Sequence, residues 1–187
     1  MFGDIARFLL NTIFTLFGAA LLMRVWLQFV RVPPYNPVTH AIQQATNWLV
    51  LPLRRVIPGV RGIDWAGVVA ALIAAIVYVL LMVWLAGVDP LGLLPTLLIV
   101  AVLTLVKWAL NLLIWLTILM ALLSWLNPRS PAMPVLLQLT APFLNPIRRV
   151  LPNFGGLDLS PILLFVIVQV LLMVVTRAAV SLTLFGI

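Results

Sequence analysis

Two adjacent arginines set between prolines occur twice in this chain, as PLRRVIP (Pro52 to Pro58) and PIRRVLP (Pro146 to Pro152). In each copy an aspartate follows, Asp64 and Asp158. A guanidinium fork binds two oxygens of a phosphate or carboxylate together. Arg54, Arg55, Arg148 and Arg149 are therefore candidates for gripping an anionic lipid headgroup, a cofactor carboxylate or an acidic patch on a partner. Adjacent residues do not share a helix face, so one arginine of each pair can turn inward while the other reaches a lipid phosphate. A plainer role competes with this one: basic residues beside spanning helices anchor the interface and set orientation. The prolines and aspartates are duplicated with the arginines, which is more than orientation alone needs. Each aspartate opens an apolar segment, where a carboxylate can accept from free backbone N–H groups and meet the positive helix end. An ion pair with the nearby arginines is the other reading. In the second copy Ser160 followed by Pro161 is an equally good helix start.

Other chemistry is scarce. Without cysteine there are no disulfides, thiolate metal sites or thiol nucleophiles. His40 is the one histidine and the chain has four acids, so no metal site is expected. No paired-carboxylate site, G-x-S-x-G turn or phosphate loop appears, so neither enzyme activity nor a cofactor is expected. Lys107, Asn111 and Gln169 lie in or beside apolar tracts, where polar groups are costly and often functional. Lys107, Arg7 and Arg177 are expected to snorkel toward an interface, and Gln169 is a candidate interhelical hydrogen-bond donor. Trp26, Trp48, Trp65, Trp84, Trp108 and Trp125 fall near predicted span ends, as in an aromatic belt.

The elements that position these groups follow from hydropathy. The 187 residues are 65% apolar and 8% charged, against about 45–50% and about 25% in a soluble domain. This composition predicts an integral membrane protein, and under that reading the net charge of +7 reflects topology, with no direct nucleic-acid binding expected. A crossing needs about 20 apolar residues, and four tracts qualify: about 5–29, 65–87, 97–126 and 161–185. The stretch Leu93 to Val106 makes the third tract longer than one crossing, predicting either a long tilted helix or an added interfacial or half-membrane segment. Between the first and second tracts, about 39–51 is too short to span. His40, Gln43, Gln44 and Asn47 fall on one helical face and Ala41, Ala45, Trp48 and Leu49 on the other, predicting an interfacial helix. The counterpart, about 133–150, carries Pro142 and Pro146 and is expected to form a shorter helix.

These segments repeat. A shift of 94 maps Arg54 and Arg55 onto Arg148 and Arg149, Pro37 onto Pro131, Thr46 onto Thr140, Pro52 onto Pro146, Pro58 onto Pro152, Gly62 onto Gly156 and Asp64 onto Asp158. Upstream, Trp26 matches Trp125 with a shift of 99. The expected fold is an all-α membrane protein with four transmembrane helices in two tandem parallel repeats, residues 1–90 and 91–187. Each repeat carries a short interfacial helix and an Arg-Arg turn between its spans. Arg31, Arg54, Arg55, Arg61, Arg129, Arg148 and Arg149 collect in the connections after the first and third spans, with Arg24 at their edge. Positive-inside bias then places these connections in the cytoplasm and both termini outside.

The blocks YNP (Tyr35 to Pro37), Thr46…PLRRVIP…Asp64 and Ser124-Trp125…Thr140-Ala141-Pro142…NPIRRVLP…GGLDLSP resemble the two repeats of the bacterial YggT family. The first copy departs from the pattern at Asp64-Trp65-Ala66, where the second has Asp-Leu-Ser-Pro, and at Trp48, where the second has Pro142. The resemblance implies a bacterial inner-membrane protein. It implies links to osmotic-stress tolerance and ion homeostasis, to cell division, or, among plastid relatives, to haem attachment to a membrane cytochrome. Together with the residues, it points to a non-enzymatic scaffold or assembly factor that binds anionic lipid headgroups or an acidic membrane-protein partner and is able to form a homo-oligomer. The competing expectation is a small, oligomeric ion or osmolyte transport component, against which the scarcity of intramembrane polar residues argues.

Overall fold

Residues 2–59, 62–151 and 158–185 are described by the computed structural model. Arg61, Pro152 and Gly156 lie outside the described residues. Among those described, the chain forms α1 (Phe2–Phe29), α2 (Pro37–Arg54), α3 (Trp65–Leu85), a 3₁₀ turn (Leu91–Leu93), α4 (Leu94–Leu126), α5 (Met133–Val150) and α6 (Ser160–Phe185). Four of these helices, α1, α3, α4 and α6, are long and apolar enough to cross a membrane, and they coincide with the four apolar tracts. The Leu93 to Val106 stretch is no separate segment: from Leu94 it is the first part of α4. At about 1.5 Å per residue, the 33 residues of α4 rise about 50 Å, more than a hydrocarbon layer about 30 Å thick.

Two expectations about the connections need correction. Helix α5 is not shorter than α2; both have 18 residues. The arginine pairs do not occupy separate turns between proline breaks. Arg54 ends α2 with Arg55 as its C-cap, and Arg148 and Arg149 lie in the last turn of α5. Helices α2 and α5 instead run through Pro52, Pro142 and Pro146. An internal proline removes one backbone hydrogen bond and crowds the carbonyl four residues earlier. Here the prolines are exposed, so the helix can bend at them without burying the freed carbonyls.

Two helix ends show why the chain turns where it does. After α3, Val88 N–H donates to the Val83 carbonyl at 3.3 Å and Gly87 N–H to that of Trp84 at 3.0 Å. Gly87 sits at φ +80°, where glycine carries no Cβ penalty. The end of α1 repeats the motif with Val32 N–H on Leu27 and Arg31 N–H on Gln28. Here the left-handed position, φ +59°, belongs to an arginine, Arg31.

The chain forms two compact units, residues 1–109 with 175–187, and residues 110–174. Packing therefore does not follow the sequence repeat, whose boundary falls near residue 90. In the first unit α1 lies along α3 and α2 packs on both. The buried face of α3 is a stripe of small residues, Ala66, Ala70, Ala71, Ala74 and Ala75, and Leu97, Val100, Ala101 and Trp108 of α4 join its core. Small side chains let helix backbones approach closely where lipid supplies no hydrophobic drive. Trp108 is only 4% exposed, so it is a core residue and not part of an aromatic belt. Its ring lies 5.7 Å from that of Tyr78 and so close over Gly18 that a Cβ there would overlap it. In the second unit Leu113 and Leu116 of α4, Leu139 and Leu144 of α5, and Leu164 and Val168 of α6 are buried.

Candidate functional site

Asp64 is fully buried at the start of α3. One carboxylate oxygen, Oδ1, accepts the Gly67 N–H at 3.2 Å and caps the helix. The other, Oδ2, takes Arg24 Nε at 3.1 Å and Arg54 Nη2 at 2.8 Å. Capping and ion pairing are thus both present, divided between the two oxygens. Gly67 makes room for this, since a Cβ there would crowd Val25 and the Asp64 carboxylate.

Arg24 is 5% exposed inside α1. Its Nη1 donates to Thr46 Oγ1 at 2.9 Å and to Asn47 Oδ1 at 2.8 Å, both on α2. Thr46 in turn donates to the Ile42 carbonyl at 2.7 Å, so its hydroxyl is oriented to accept from the arginine. Arg54 Nη2 also reaches Gln28 Oε1 at 3.2 Å. One carboxylate thus ties α1, α2 and α3 together. The sequence counted Arg24 only as a charge at a span's edge and did not select Gln28, Thr46 or Asn47 as site residues. A signal was present: Arg24 is an arginine within an apolar tract, and the shift of 99 that aligns the tryptophans places Leu123 opposite it.

The buried stripe of α2 is Thr39, Thr46 and Val50, with Gln43 and Asn47 half-buried beside it. This corrects the expected division of α2 into polar and apolar faces, because Asn47, assigned to the polar face, turns toward Arg24. Trp48 remains exposed and stacks on Phe17 at 5.4 Å.

The second copy builds a simpler version. Arg148 approaches Asp158 Oδ2 with Nε at 2.9 Å and Nη2 at 2.7 Å. Asp158 Oδ1 accepts the Ser160 N–H at 3.0 Å. Burial pushes the Asp158 carboxyl up, but the hydrogen bonds from Ser160 and Arg148 outweigh it and hold the group below its ordinary value. Both partners are more than a third exposed. Thr140, the match of Thr46, is fully buried and donates to the Leu136 carbonyl at 2.8 Å.

In both copies the first arginine of the pair holds the aspartate, while the second, Arg55 or Arg149, is exposed and makes no ion pair among the described residues. The next residue is an exposed valine in each, Val56 at 80% and Val150 at 85%. The remaining polar residues stand apart. Lys107 and Asn111 are half-buried along α4. Gln169 is exposed on α6 and donates no interhelical hydrogen bond among the described residues, contrary to expectation. Arg7 is exposed and donates to the Leu85 carbonyl at 3.2 Å, at the C-terminal end of α3, where a cation suits the helix dipole. Among the described residues no cluster of three metal-ligating side chains occurs.

Long apolar helices joined by amphipathic ones define a multi-pass α-helical membrane protein. The chain belongs to the CCB3/YggT family, whose model matches it in two segments, residues 4–85 and 99–179. The two matched segments support the two-part architecture. It is 39% identical over 163 residues to an uncharacterized protein of Vibrio alginolyticus from the proC 3′ region, covering 87% of this chain and 88% of that one. It is 37% identical over 165 residues to the uncharacterized protein YggT of Escherichia coli K12, covering 88% and 85%. It is also 37% identical over 180 residues to the uncharacterized protein PA0392 of Pseudomonas aeruginosa, covering 95% and 91%. No solved structure matches the chain.

Proposed function

We propose that the protein is a non-enzymatic scaffold or assembly factor of the bacterial inner membrane. In this reading Arg55 and Arg149 dock anionic lipid headgroups or an acidic partner on the cytoplasmic side. One observation carries the reading: both copies spend the first arginine on an internal aspartate and leave the second exposed at a helix C-terminus. An arginine placed only to orient a loop needs no such partner. The aspartate fixes the helix end from which the second guanidinium projects, which lowers the entropy lost on binding. The exposed Val56 and Val150 give the same edge an apolar contact, suited to the headgroup boundary or to a partner helix. Links to osmotic-stress tolerance, cell division or complex assembly would follow from what is docked. Ion or osmolyte transport is the competing reading, and robust potassium or osmolyte flux through purified protein in liposomes would overturn the scaffold.

The test is native mass spectrometry of the full chain with bound lipid. The wild type is expected to retain phosphatidylglycerol over phosphatidylcholine, and Arg55→Gln with Arg149→Gln to retain fewer phosphatidylglycerol molecules per chain. Arg55→Lys with Arg149→Lys keeps the charge without the fork. Full function in the lysine variant would reduce the pairs to orientation signals.

A further inference from the structure

Beside the Arg24–Asp64 network, the first unit contains a cavity of about 370 Å³. Its polar wall is Arg24, Gln28, Arg31, Thr39 and Gln43, and apolar side chains complete it. No acidic residue lines it. Arg24 commits Nε and Nη1 to Asp64, Thr46 and Asn47, while Nη2 donates to no described residue. Gln28 uses its carbonyl oxygen on Arg54, which leaves its amide N–H₂ as the available end. Thr39 is 6% exposed, and its Oγ1 is the buried side-chain polar atom without a hydrogen-bond partner among the described residues. A helical threonine ordinarily donates to the carbonyl four residues back, as Thr46, Thr104 and Thr117 do here. Thr39 stands two residues after Pro37 opens α2, so the residue four back lies outside the helix. A buried hydroxyl left unpaired is costly.

Arg31 adds a second costly feature. It holds the left-handed position at the end of α1, where glycine is favoured and other residues are disfavoured by about 1 kcal/mol or more. Its side chain lines the cavity. Two unfavourable choices line one cavity and both side chains carry a donor group, as a site selected for a ligand at the expense of stability would. The charge balance agrees: Arg24 and Arg54 share one carboxylate and Arg31 adds a further positive charge.

We propose that this cavity binds a phosphate-bearing anion through Arg24 Nη2, the Arg31 guanidinium and the Thr39 hydroxyl. Donors from several directions suit a tetrahedral oxyanion better than a planar carboxylate. The site is confined to the first copy, because Arg24 has Leu123 as its counterpart. It is separate from the exposed Arg55 and Arg149 and does not depend on their role.

The experiment uses the full chain in phosphatidylcholine nanodiscs. Titration calorimetry with inorganic phosphate and with glycerol phosphate reports a soluble source, and native mass spectrometry after exchange with phosphatidylglycerol reports a headgroup source. Saturable binding of at least one probe is expected, weakened about ten- to a hundredfold by Arg31→Gly or Thr39→Val, the range of a lost charged hydrogen bond. Both variants should unfold at the same or a higher temperature than the wild type, because each removes an unfavourable feature. Arg55→Gln with Arg149→Gln should leave cavity binding unchanged. Absence of saturable binding to every probe would overturn the proposal. So would affinity unchanged in Arg31→Gly and Thr39→Val, or affinity lost only alongside a lowered unfolding temperature.

Discussion

Replacing Asp64 with asparagine tests the three-helix junction at its centre. The substituted amide oxygen can still accept the Gly67 N–H, so the cap of α3 survives. What is lost is the charge shared by two guanidiniums. Arg24 is 5% exposed and Asp64 fully buried, and removing one partner of a buried ion pair costs about 3–5 kcal/mol. Arg54 is 39% exposed, so its share falls within the about 0–1 kcal/mol of a surface pair. The expected loss is therefore about 3–5 kcal/mol, nearly all of it from stranding Arg24. Asp64→Ala should cost about 1 kcal/mol more through the lost cap. Asp158→Asn, acting on a pair 37% and 43% exposed, should cost at most about 1 kcal/mol. Adding Arg24→Leu to Asp64→Asn removes the stranded charge and installs the residue type found at Leu123, so the double variant should recover most of the loss. Reversible unfolding in mixed detergent micelles, followed by tryptophan fluorescence, measures the wild type, these four variants and Arg24→Leu alone. If Asp64→Asn is no more damaging than Asp158→Asn, or the double variant falls by the sum of its parts, the junction is not held as described.

Gly18→Ala should destabilise the first unit by about 1–3 kcal/mol, because its Cβ would overlap the buried Trp108 ring; a lowered unfolding midpoint and altered tryptophan emission would report it. The Asp158 carboxyl is held below its ordinary value in the fold. Its contribution to stability is therefore complete above the unfolded pKa of about 3.9 and lost as pH falls through the lower folded value. The difference in midpoint between the wild type and Asp158→Asn should persist at pH 5 and above and shrink as the pH falls below about 3.9. Arg7→Gln should cost at most about 1 kcal/mol and fray the C-terminal end of α3, read as faster amide exchange there.

The spans were legible because apolar tracts of crossing length leave few other folds open. The extents of α2 and α5 were not, since Pro52, Pro142 and Pro146 read as breaks in a sequence but sit on exposed faces where a helix can bend through them. Trp108 shares its residue type with belt tryptophans but lies well inside the 97–126 tract, where it faces a glycine ninety positions earlier at Gly18. The duplicated arginines and aspartates announced themselves by their spacing. Arg24 did not, because it has no counterpart in the second copy and a repeat draws attention to what matches.

The most direct measurement is photo-crosslinking in native membranes from a probe placed at Val56 or Val150, beside Arg55 and Arg149. A docking edge predicts that both positions capture the same phospholipid class or the same acidic protein, and that Arg55→Gln with Arg149→Gln abolishes capture at both. Capture that is unselective, or indifferent to those two arginines, would contradict the account.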